Sequence, residues 1–126
     1  MLFWIICALL LYYVGVFLPS LFLVPRIGVP SYLGSRDSEP EPTVLQARAT
    51  RATANLQENL APFLALAILA MVLPQADQAQ ALMGAKVFVI ARLVYLPLYM
   101  LAVPVARSAV WTAGFAGLIV MGLALA

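Results

Sequence analysis

Leu2 to Val24 is an almost unbroken apolar run of 23 residues. It exceeds the roughly 20 residues a helix needs to cross a bilayer core. No basic segment precedes it and no clear small-residue cleavage site follows, so it reads as a retained first transmembrane helix rather than a secretion signal. Tyr12 and Tyr13 fit within a bundle, and Pro19 is placed to kink the last turns.

The rest of the chain has the same character. Of its 126 residues 65% are hydrophobic, against roughly 45–50% apolar content in soluble domains, and the mean hydropathy is +1.03. Seven Lys/Arg and five Asp/Glu are the only charges, and there is no His. A soluble core of this size could not hide so much apolar surface. A net charge of +2, scattered along the chain, gives no nucleic-acid patch. The single cysteine, Cys7, lies in the first apolar run and reads as a small buried hydrophobe. With one Cys and no His, neither an intrachain disulfide nor a metal site is expected.

The expected fold is an all-α integral membrane protein, a single four-transmembrane-helix bundle with helices at about 2–24, 44–73, 78–103 and 109–125. Residues 25–43, rich in proline and mixed charge, form the loop after the first helix. Thr43 is a plausible N-cap for the second helix, which carries Pro62 as a kink and ends before Pro74. The polar turn from Pro74 to Gln80 makes helices two and three antiparallel neighbours. Arg107 and Ser108 mark the next turn, and Gly114, Gly117 and Gly122 permit close packing of the last helix. Arg26, Arg36, Arg48, Arg51 and Arg107 lie on one side and the Pro74 turn has no Lys or Arg. The positive-inside bias then places loops one and three in the cytoplasm and both termini outside. Lys86 and Arg36 read most simply as interfacial anchors.

The second helix opens on an unusual stretch, Arg48 to Phe63. Arg51, Asn55 and Glu58 are spaced i, i+4, i+7 and share one face, as do Arg92, Tyr95 and Tyr99 on the third helix. Measured from the shared turn, Glu58 and Arg92 both lie roughly 22–24 Å deep at 1.5 Å per residue. Asn55 then falls near Tyr95, and Arg51 near Tyr99. An arginine at a helix centre costs about 2.5–3.5 kcal/mol even on insertion scales, so a Glu58–Arg92 ion pair that fixes the fold is expected. Above it, Arg51, Asn55, Tyr95 and Tyr99 offer a cation, an amide and two phenols, which suit a small polar anion with a carboxylate or thiolate end. Snorkelling of Arg51 and aromatic-belt placement of the tyrosines are the bland alternatives.

These same residues carry a resemblance. Arg51, Ala52, Asn55, Glu58, Asn59, Pro62 and Phe63 resemble the second-helix signature of the MAPEG family, the membrane-associated proteins of eicosanoid and glutathione metabolism. Ala91, Arg92, Leu93, Val94, Tyr95 and Tyr99 resemble its third-helix signature, and the four-helix layout extends the likeness over essentially the whole chain. Leu33, Gly34, Ser35, Arg36 and Asp37 resemble the bacterial branch, which implies a bacterial inner membrane. The resemblance implies a homotrimer, with glutathione as co-substrate between adjacent protomers near the cytoplasmic face. It implies glutathione contacts from Arg51, Asn55, Glu58, Tyr95 and Tyr99, with Arg107 the nearest candidate for the arginine that activates the thiol. Arg26 is a candidate second cation. Asn59 stands where some family enzymes carry an aromatic residue.

Two functions follow from this reading. One is a glutathione-dependent transferase or peroxidase acting on lipophilic electrophiles from the bilayer. The other is a non-catalytic protein, either an accessory or scaffold subunit of a larger membrane complex or a lipid-binding protein. Helices one and four are almost featureless, so no polar stripe runs through all the helices as a channel would need.

Overall fold

A computed structural model describes all of residues 1–126, and the chain is entirely helical. Helix α1 spans Leu2–Ile27, the short α2 Val29–Tyr32, α3 Val44–Val72, α4 Gln78–Met100 and α5 Pro104–Leu123. The four long helices are each long and apolar enough to cross a membrane. They run up and down, so the α1–α3 connection and the α4–α5 turn share one end of the bundle. The α3–α4 turn and both termini share the other.

Helix α1 runs through both of its prolines and stops at Ile27, three residues past the expected Val24. At Pro19 a neighbouring side chain compensates for the missing bond. Pro19 has no N–H to offer the carbonyl of Gly15 one turn earlier. Thr53 of α3 donates its hydroxyl to that carbonyl at 2.7 Å. In lipid an unsatisfied backbone carbonyl costs several kcal/mol, so this cross-helix bond keeps α1 continuous and fixes it against α3. Gly15 is small for the same contact, since a Cβ there would lie 3.1 Å from the Thr53 hydroxyl.

The segment from Gly28 to Thr43 contains the one-turn α2 and is tied down at two points. Ser20 and Tyr32 share a hydrogen bond of 2.7 Å. Arg26 donates to the Glu41 carbonyl at 2.9 Å and to Gln46 Oε1 at 3.3 Å. Arg26, the candidate second cation, is therefore engaged within its own chain. Thr43 caps α3, its hydroxyl accepting from the Gln46 N–H at 3.1 Å. Asp77 caps α4 by accepting from the N–H groups of Ala79 and Gln80, both at 3.0 Å. Its own N–H donates to the Ala124 carbonyl at 2.8 Å and holds the end of α5 beside the turn.

Between apolar helices in lipid the driving force is close packing rather than escape from water. Helices α4 and α5 meet through glycine. A Cβ on Gly84 would fall 2.5 Å from the Gly117 carbonyl, so only hydrogen fits at this crossing. Phe63 of α3 stacks on Phe88 of α4 with ring centroids 4.6 Å apart, and both are fully buried beside Met121.

The α4–α5 turn differs most from the sequence reading. Helix α4 stops at Met100, not Val103, and α5 starts at Pro104, not Ala109. The Ala102 N–H reaches the Tyr99 carbonyl and the Val103 N–H reaches the Leu98 carbonyl, the paired bonds of a Schellman stop. Ala102 takes the left-handed conformation this requires, at φ 58°. Pro104 then opens α5, where its missing N–H costs nothing. Arg107 accordingly sits inside the first turn of α5 rather than in a loop.

Candidate functional site

A cleft of about 330 Å³ opens at the end of the bundle that carries the α4–α5 turn. Asn55 of α3, Tyr95 and Tyr99 of α4, and Arg107, Ser108, Trp111 and Thr112 of α5 line it. Helices α4 and α5 contribute residues one turn apart and α3 contributes Asn55 alone, so the cleft follows from the three-helix packing.

Behind the lining residue Asn55 lies Arg92, 2% exposed. Its Nη1 donates to Asn55 Oδ1 at 2.8 Å. Its guanidinium carbon lies 5.1 Å from the Phe88 ring centre, 5.7 Å from Tyr95 and 6.0 Å from Trp111, all within cation–π range. Nε and Nη2 are buried without a hydrogen-bond partner.

The expected Glu58–Arg92 ion pair does not form within the chain, whose sole ion pair is Arg36–Glu39 at 3.3 Å. Glu58 is exposed. Helical rise sets the two residues at similar depth but says nothing about azimuth. The buried face of α3 runs through Ala49, Thr53, Leu56, Leu60 and Phe63, and Glu58 points away from it. Asn55, one turn nearer the loop end, is the residue that meets α4.

Donor and acceptor assignments follow from arginine chemistry. A guanidinium only donates, so Asn55 must turn its oxygen to Arg92, which leaves its NH₂ free for the cleft. Arg51 Nε donates to the Tyr99 hydroxyl oxygen at 3.2 Å. Tyr99 therefore accepts from Arg51 and keeps its own O–H for another acceptor. The Arg107 guanidinium stacks 4.5 Å from the centre of the Tyr99 ring, and that side chain makes no hydrogen bond or ion pair in the chain. Arg48 anchors the same corner by donating to the Met100 carbonyl at 3.0 Å.

Asn55, Tyr95, Tyr99 and Arg107 thus come together, with Arg51 bound to Tyr99 at the rim. Glu58 lies outside the cleft lining, on the exposed face of α3. Ser108, Trp111 and Thr112 were missed from sequence. Once α5 begins at Pro104, Trp111 and Thr112 fall one turn after Arg107 and Ser108, on the same face.

The cleft presents an amide N–H, two phenols and a guanidinium, with no acidic side chain in its lining. It is a receptor for an electron-rich, oxygen- or sulfur-bearing group. The molecule is a multi-pass, all-helical membrane protein with this polar cleft at one end of its bundle. The MAPEG family model matches residues 1–126, the whole chain, and the protein belongs to the MAPEG family, which includes glutathione transferases and related proteins. No curated protein and no solved structure gives a significant match.

Proposed function

We infer that the cleft binds glutathione and that the protein is a glutathione-dependent transferase or peroxidase for lipophilic electrophiles in the bilayer. The observation that carries this reading is the convergence of unspent donors from Asn55, Tyr99 and Arg107 on one cleft. Glutathione has two carboxylates, a thiol and an ammonium. Asn55, Tyr95, Tyr99 and Arg51 suit its carboxylate and peptide oxygens, and Glu58 is the acid within the span that suits its ammonium.

Arg107 is the residue best placed to act on sulfur. A guanidinium beside the thiol favours the thiolate, and the thiolate is the nucleophile. In conjugation the thiol proton leaves to solvent, sulfur forms a bond to the electrophilic carbon, and the leaving group departs with its electron pair. Open flanks between apolar helices admit the electrophile from lipid.

A homotrimer is part of the proposal. The exposed face of α3 carries Arg51, Gln57 and Glu58 among Ala54, Ala61 and Ala65. Each charge facing lipid at a helix centre would cost about 2.5–3.5 kcal/mol, and small residues allow close approach of another helix. A neighbouring copy on this face lowers the cost and brings Glu58 to the rim of a site shared between protomers. With the arginine-rich end in the cytoplasm, the cleft opens to the cytosolic glutathione pool and both termini lie outside.

The test is glutathione conjugation of an aromatic halide by purified wild type and Arg107→Ala. Turnover by wild type that falls at least tenfold in the variant, with glutathione binding retained, supports the reading. Binding without turnover in wild type would leave a non-catalytic glutathione-binding protein.

A further inference from the structure

Gln57 and Glu58 of α3 are polar, exposed and without a partner in their own chain. Neither side chain makes a hydrogen bond or an ion pair within the molecule. They stand 15 and 14 residues before the end of α3 at Val72, hence about 22 and 21 Å from it at 1.5 Å per residue. A hydrocarbon core about 30 Å thick encloses both. An amide and a carboxylate left bare to lipid are costly there.

Adjacent in sequence, the two residues point about 100° apart around the helix. Glu58 stands on the α4 side of the open face, next to Arg51 and Asn55, which reach Tyr99 and Arg92 of α4. Gln57 stands on the α1 side, next to Gln46 and Thr53, which meet Arg26 and Gly15 of α1. Ala54, Ala61 and Ala65 run between them, all exposed, and their small side chains let another helix come close. The open face of α3 therefore has a carboxylate edge and an amide edge at one depth.

No cation of the same chain answers Glu58. Arg51 lies two turns away along the same edge and is bound to Tyr99. Arg92 is enclosed and bound to Asn55. Lys86, eight residues after Gln78, lies about 12 Å from the Pro74 end, so about 9 Å from Glu58 in depth. Symmetry supplies what the single chain lacks. In a ring of copies about the membrane normal every residue keeps its depth. The contact is head-to-tail, so one edge of each open face meets the opposite edge of the next. A neighbour's Arg51 is on the carboxylate edge and faces away from Glu58. Its Gln57 is on the amide edge and faces it, about 1.5 Å away in depth.

We propose that the Gln57 side-chain amide of each copy donates to the Glu58 carboxylate of the next, joining the α3 faces of the oligomer. The pair rests on the proposed homotrimer but not on glutathione. It assigns which edge meets which, and it sets Gln57 of the next copy beside the carboxylate at the rim of the cleft.

Two measurements on the purified protein in detergent test it. Light scattering gives the number of subunits for wild type, for Gln57→Glu, which sets carboxylate against carboxylate, and for Gln57→Glu with Glu58→Gln, which exchanges the two partners between the edges. Wild type should be an oligomer, Gln57→Glu should lose it, and the exchanged variant should regain it. Disulfide formation reads the geometry, since it needs close Cβ atoms. In a Cys7→Ser background, Gln57→Cys co-expressed with Glu58→Cys should give linked dimers, while either variant alone should stay unlinked. A monomeric wild type overturns the oligomer and the pair together. In an oligomeric wild type, an exchanged variant no better assembled than Gln57→Glu overturns the pair alone. So does linking of either cysteine variant by itself as efficiently as the mixture.

Discussion

Arg92 of α4 donates to the side-chain oxygen of Asn55 on α3 at 2.8 Å, and no carboxylate in the chain shares that guanidinium. One amide is thus the polar partner of a buried cation and, through its free NH₂, a wall of the cleft. Structure and proposed binding meet at this contact. Losing Asn55 should therefore have two separable effects, one on the bundle and one on the ligand.

On stability, Asn55→Leu strands a buried guanidinium and should cost about 2–3 kcal/mol, the value of a hydrogen bond to a charged group plus its desolvation. Adding Arg92→Leu removes the stranded charge, so the double variant should be more stable than Asn55→Leu alone. Thermal unfolding in detergent reads both. A double variant whose loss equals the sum of the single losses would mean the two side chains do not depend on each other.

The Thr53–Gly15 bond makes a sharper prediction because its cause is a proline. Thr53→Val should destabilise the bundle by about 1–3 kcal/mol by orphaning the Gly15 carbonyl. In a Pro19→Ala background the new N–H at position 19 can satisfy that carbonyl from within α1. Thr53→Val should then cost much less, and a double-mutant cycle by thermal unfolding measures the difference. An identical cost in both backgrounds would contradict the account of how α1 passes Pro19.

Ala102 holds φ 58° at the end of α4, a conformation in which its Cβ is strained. Ala102→Gly should raise stability by about 1 kcal/mol at this stop. The same unfolding measurement checks it. A lower melting temperature would show that glycine's greater freedom in the unfolded chain outweighs the relieved strain.

Much of the fold was legible because its signals are one-dimensional. Apolar runs gave the four membrane helices, and equal rise from the Pro74 turn set Arg51 level with Tyr99, the pair joined at 3.2 Å. What failed depended on direction or on a neighbour. Depth alone paired Arg92 with Glu58, yet the packed azimuth of α3 brings Asn55 to it instead. Pro25 reads as a helix end in sequence, while α1 continues to Ile27. Pro104 reads as a late interruption of the third helix and is the first residue of α5. That shift puts Arg107 over the Tyr99 ring and brings Trp111 and Thr112 to the cleft.

The central claim is that the Asn55–Tyr99–Arg107 cleft is a glutathione site. Calorimetric titration of glutathione into the purified protein tests it most directly, with Tyr99→Phe beside wild type. Tyr99→Phe keeps the ring but removes both the free O–H donor and the oxygen that holds Arg51 Nε. Wild type should bind saturably, and Tyr99→Phe should bind about tenfold more weakly, as expected for one hydrogen bond to a charged acceptor. No saturable binding by wild type, or equal affinity in the two proteins, would contradict the account.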